Sequence, residues 1–134
     1  RTVRPGAWTT LRFNRRYEDG DWVGKEDGTG ILYGPCYYTA SVGVWVSGLA
    51  RGAEFSVRLA NYREKGDGSG EFERTVAMPS QSPVHAGGDL HAVHTWTGFV
   101  PGARQGRLRV EVRHGGEEPV TVDWARAEAL WWPA

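Results

Sequence analysis

His91 and His94 come nearest, in type and spacing, to a metal site, because two imidazoles three positions apart can share an ion when a helix carries them. They stand, however, in DLHAVHTWTGF, a run with strand character, and on a strand a spacing of three sends side chains to opposite faces. One chain cannot chelate with both. Only in a trimer would either histidine meet its own copies near an axis, and the chain is expected to hold no metal. Asp19, Asp21, Glu26 and Asp27 offer oxygen ligands of the kind calcium takes. They surround Gly-containing turns and match no EF-hand loop, so they read as solvated turn residues. Cys36 has no local context that would activate a thiolate and reads as a small buried hydrophobe. For glycoside hydrolysis a pair of carboxylates must flank a cleft. Glu54 and Glu111 fall on outward strand positions and Glu117-Glu118 in a turn, so no catalytic residue and no cofactor is expected and the chain does not read as an enzyme.

Charge narrows the partners. Sixteen basic residues balance sixteen acidic ones, so nothing in the net charge draws the chain to nucleic acid. The series Arg104, Arg107, Arg109 and Arg113 is interrupted by Glu111 and reads as a solubilising face. Seven tryptophans invite a sugar-binding reading; most suit a core or an interface, and Trp22, Trp131 and Trp132 are those whose exposure tests that reading. No apolar run approaches the ~18 residues that span a bilayer, and RTVRPG lacks the apolar region of a signal peptide, so no membrane insertion is expected.

The elements that position these residues are strands. With 19 glycines, seven prolines and no long 3.6-residue periodicity, the 134 residues suit one all-β domain spanning 1–134. Strands are expected over 7–13, 31–33, 36 to the turn near 50, 53–62, 71–78, 89–99, 107–114 and 120–132. The strand beginning at Cys36 alternates Cys36, Tyr38, Ala40, Val42, Val44 and Val46 with Tyr37, Thr39, Ser41, Gly43, Trp45 and Ser47; both faces are uncharged, as are those of the 89–99 strand. By contrast, 53–62 and 107–114 alternate apolar with polar or charged residues, which predicts a solvated outer face. Near Trp124 the alternation switches, as it does at a bulge. Two sheets follow, one wet outside and the other covered. No helix is available to cover it, so another copy of the chain is the economical cover.

AWTTLRF, GPCYYTASVGVWVSGLARGAEFSVRLANY, AGGDLHAVHTWTGF and a last strand ending at Trp131-Trp132 together resemble the tumour necrosis factor and first-complement-component globular-head superfamily. Departures lie at Cys36, at the extra glycine of Gly87-Gly88-Asp89 and in the two histidines. The resemblance implies a two-sheet antiparallel jelly-roll sandwich of about ten strands that assembles as a homotrimer. The Trp-rich, Lys-poor variety is similar to the C-terminal heads of bacteriophage tail fibres and minor tail proteins. That likeness implies a non-enzymatic head at the end of a longer fibrous, often collagen-like, stalk. Its place would be the virion tail or another extracellular site, and its tasks trimerisation and contact with a host-surface glycan or protein. Tyr37, Thr39, Trp45, His91, Phe99 and Trp131 are the expected trimer interface. No ligand-binding residue is assigned. Segments 18–30, 63–70 and 101–106 are the loops expected to carry any recognition. The rival reading is a monomeric β-sandwich carbohydrate-binding module of a secreted bacterial protein, with an exposed aromatic platform.

Overall fold

The computed structural model describes residues 1–13, 28–82 and 87–134. Nine strands occur among them: β1 (Thr2–Val3), β2 (Thr9–Thr10), β3 (Gly30–Tyr33), β4 (Cys36–Leu49), β5 (Phe55–Glu64), β6 (Phe72–Ala77), β7 (Gly88–Val100), β8 (Arg107–His114) and β9 (Val120–Pro133). They form two antiparallel sheets, β1-β9-β4-β7 and β2-β8-β5-β6, with β3 also on β8. The protein is all-β, as the alternating patterns predict. The strand expected over 7–13 is shorter: only Thr9–Thr10 join β8 as a strand, opposite Val112 and Glu111, while Thr2–Val3 pair with β9 in the other sheet. The segment expected over 18–30 lies largely outside the described residues, as do Trp22 and the acidic residues Asp19, Asp21, Glu26 and Asp27; its last residues, Gly28 to Gly30, are buried.

β4 is the centre of its sheet, hydrogen-bonded to β7 along one side and to β9 along the other. Its even positions point into a core shared by both sheets, where Tyr38, Ala40, Val42, Val44 and Val46 meet Phe55, Val57, Leu59, Leu108, Val110 and Val112, all essentially inaccessible to water. Removing this apolar surface from water is the main stabilising term. Cys36 belongs to the same core, and burial raises its thiol pKa. Tyr38 is the largest fully buried side chain among the described residues. Its ring fits because the residue opposite is Gly98, where an added Cβ would lie 2.7 Å from the Tyr38 hydroxyl and 3.0 Å from Cζ. Burial pushes the Tyr38 pKa up to about 12.

The outer face of the β5–β8 sheet is not solvated, contrary to its sequence pattern. Arg107 is 3% and Glu111 2% exposed, and Ser56 is buried as well. Arg58 donates from Nε to Glu111 Oε1 at 2.8 Å, and the Tyr62 hydroxyl donates to Oε2 at 2.5 Å. Aromatic rings cover the guanidinium planes: Trp8 lies over Arg58, Phe72 over Arg107, and Tyr62 over Arg109. Alternation reports which side chains share a face. It does not report whether another segment lies across that face, and here planar arginines stacked on rings form a layer that excludes water. Arg104 and Arg113 stay exposed, so the solubilising stripe is reduced to those two.

Two expected outcomes follow from this packing. Gly98→Ala drives a methyl into the Tyr38 ring and should lower unfolding stability by about 1–3 kcal/mol in urea titrations; an unchanged midpoint would show that the ring has room to move. Glu111→Ala leaves Arg58 buried without its counter-charge and should cost about 3–5 kcal/mol, whereas Arg113→Ala, at an exposed position, should change stability by less than about 1 kcal/mol.

Candidate functional site

The odd positions of β4 face away from the core, and pairing with both neighbours arranges them in rows. Tyr37 lies between Phe99 and Trp132, Thr39 between Thr97 and Leu130, Ser41 between Thr95 and Glu128, Gly43 between Val93 and Arg126, and Trp45 between His91 and Trp124. At a rise of about 3.4 Å per residue the rows span roughly 27 Å. Nothing among the described residues covers them. Tyr37, Trp45, Val93, Phe99, Trp124, Leu130 and Trp132 are all exposed, Leu130 to 76%. Folded chains seldom leave so many aromatic and aliphatic side chains bare on one face, and such surfaces mark contact sites.

Chemically the face has three zones. At one end the Tyr37 ring meets Phe99 at 5.0 Å and stacks with Trp132 at 6.4 Å. In the middle, hydroxyls pair across the strands, Thr39 with Thr97 at 3.3 Å and Ser41 with Thr95 at 2.9 Å, and the side chains of Arg126 and Glu128 form an ion pair. At the far end His91 stacks on Trp45 with centroids 3.4 Å apart, and Trp124 meets Trp45 edge to face at 4.7 Å.

Five of the six residues expected at an interface therefore share one face: Tyr37, Thr39, Trp45, His91 and Phe99. Trp131 does not. It pairs with Tyr38 and has the inward parity of Ala125, Ala127 and Ala129, yet it is 55% exposed. Its neighbour Trp132 occupies the place beside Tyr37. Both tryptophans are exposed. Of the other described tryptophans only Trp96 is buried in the core, while Trp45 and Trp124 lie exposed on the bare face.

Alternation alone puts Val122 and Trp124 on one face of the strand. The structure separates them. Trp45 pairs with Trp124 and Val46 with Val122, which leaves Asp123 as an extra, unpaired residue. This is the bulge anticipated from the switch in alternation. It turns Val122 into the core and Trp124 out onto the face.

The histidines sit on opposite sides of β7, as a spacing of three requires. His91 lies on the bare face; His94 points the other way, with Nδ1 2.7 Å from Gln81 Oε1 and Nε2 buried without a partner among the described residues. Among the described residues no group of three or more His, Cys, Asp or Glu could hold a metal ion. Two of the proposed recognition loops touch: Arg104 donates to the Lys65 carbonyl at 2.8 Å and Gln105 to Glu64 Oε1 at 2.9 Å. Both loops lie at the Tyr37 end of the sheet. Compared with known proteins, the chain matches no family model, no curated protein and no solved structure.

His94 makes stability depend on pH. Burial lowers its pKa below the ordinary 6.5, because loss of solvent disfavours the charged imidazolium. The unfolded chain therefore takes up the proton first, so stability is full above about pH 6.5 and declines as pH falls towards the folded-state value. His94→Gln should show a shallower loss of urea midpoint between pH 7 and pH 5 than the parent; equal slopes would assign the loss to other groups.

Proposed function

We propose that this chain is a non-enzymatic head domain that assembles as a homotrimer through the bare face of the β1-β9-β4-β7 sheet, at the end of a stalk such as a bacteriophage tail fibre. The observation that carries this reading is the row of exposed aromatic and aliphatic side chains on a sheet whose opposite face is already committed to the core. A second copy of the chain is the partner of matching chemistry: the face is apolar at one end, hydroxyl-lined in the middle, and its Arg126 and Glu128 offset each other. The sheet's edge supports the same conclusion. β7 runs thirteen residues with no strand on its outer side among those described, and long exposed edges are ordinarily covered.

Strand order supports the jelly-roll expectation. With β2 and β3 counted as one interrupted strand on β8, successive strands sort between the two sheets in the manner of interleaved Greek keys. The threefold number, the stalk, the virion or extracellular setting and contact with a host surface rest on the resemblance of the sequence motifs. Within the trimer the Tyr37, Phe99, Leu130 and Trp132 end is the closely packed one. The Trp45 end carries Asp89 and Asp123, and burying those carboxylates around a threefold axis would cost several kcal/mol per charge, so that end stays wet.

The monomeric carbohydrate-binding reading draws on the same exposed rings. It is weaker in the middle of the face, where the hydroxyls that a sugar would use already bond one another.

Solution mass separates the two. Light scattering behind size exclusion should return three times 14.8 kDa, and Leu130→Arg with Phe99→Glu, both at positions exposed in the single chain, should reduce it to one copy without loss of the folded signal. A parent protein that is monomeric at every concentration would overturn the assembly.

A further inference from the structure

At the far end of the bare face, Trp45, Val46, Asp89, Asp123 and Trp124 line an open hollow of about 430 Å³. Three features of sequence and register build it. The Asp123 bulge thrusts one carboxylate out of β9 next to Trp124. On β7, Asp89 lies two residues before His91 and so shares its face. β4 runs between them, which sets the two aspartate backbones roughly 10 Å apart, two strand spacings across the sheet. The indole corner above is rigid, because Trp45 is held by His91 on one side and by Trp124 on the other.

The chemistry of the lining is selective. It presents two indoles and two carboxylates and no lysine or arginine. Among the described residues neither Asp89 nor Asp123 makes an ion pair or side-chain hydrogen bond. Indole faces attract cations through their quadrupole, and best when the cation is poorly hydrated. The two carboxylates add a negative potential beside the indoles, at the mouth of the hollow. Anions are repelled. A neutral polyol gives no charge to offset the carboxylates that it would desolvate.

We infer that this hollow is a binding site for a small organic cation of the quaternary ammonium class, its methyl groups against Trp45 and Trp124 and its charge between Asp89 and Asp123. The site is complete within one chain, so it does not rest on the trimer.

The test is a titration of the uniformly ¹⁵N-labelled full chain with choline chloride, read at the tryptophan indole N–H resonances, with solution mass measured on the same samples. Choline should shift two indole signals saturably. Its neutral carbon isostere, 3,3-dimethylbutan-1-ol, should bind at least tenfold more weakly, and so should glycine betaine, which carries its own carboxylate. Asp89→Asn with Asp123→Asn, at exposed positions, should weaken choline at least tenfold while leaving the remaining spectrum in place, and Trp124→Ala should abolish the shifts. Equal binding of choline and the alcohol would reduce the site to an apolar hollow and overturn the inference. So would saturable shifts with methyl glycosides in place of choline, or no saturable shift in the parent chain. The mass readings report on the assembly independently, so either proposal can fail alone.

Discussion

The structure depends on the pairing of β4 with a neighbour on each side along nearly its whole length. Because side chains alternate, this one register does two things at once. It commits Tyr38 through Val46 to the core and fixes the rows that run from Tyr37 to Trp45 on the opposite face. A slip of one residue would exchange the two sets, exposing the valines and burying Tyr37 and Trp45. The core therefore holds the bare face in place: the valines lock the register, and the register aligns the rings.

Much of this could be read from the sequence. The strands came from alternation and Gly- or Pro-marked turns, and the parity of β4, β7 and most of β9 followed directly. Five residues of the face were legible for that reason. Trp131 and Trp124 were not, and both failures have the same source. Asp123 shifts the phase of β9 by one residue, and a phase shift can be suspected from a change in pattern but not positioned by it. Val93 and Leu130 were legible in parity but gave no chemical reason to be singled out.

The other failure is one of cover. The sequence pattern gave the β5–β8 sheet a wet outer face and the β4 sheet a covered one. In the structure that outer face is the covered one, with Glu111 and Arg107 buried, while the bare β4 face, where Tyr37 is 47% exposed, is the one the sequence pattern leaves to a second copy of the chain. Charged residues suggested water because an isolated buried charge is costly. Glu111 avoids that cost with Arg58 and Tyr62, and its arginine neighbours spread their charge over ring faces. Such compensation is made by residues far apart in the chain, Trp8 with Arg58 and Tyr62 with Glu111, so no local pattern announces it.

The arrangement of the β4 sheet also bears on how the chain is made. β4 is synthesised early, but its two partners arrive some fifty and eighty residues later. During translation at roughly 5–20 residues per second, a strand with two uncharged faces waits for several seconds with both edges open. The amphipathic β5 and β6 can form a hairpin meanwhile, but the central sheet cannot close before β9 leaves the ribosome. The topology that gives the mature chain its continuous face thus gives the nascent chain an interval in which the same segment is its stickiest part.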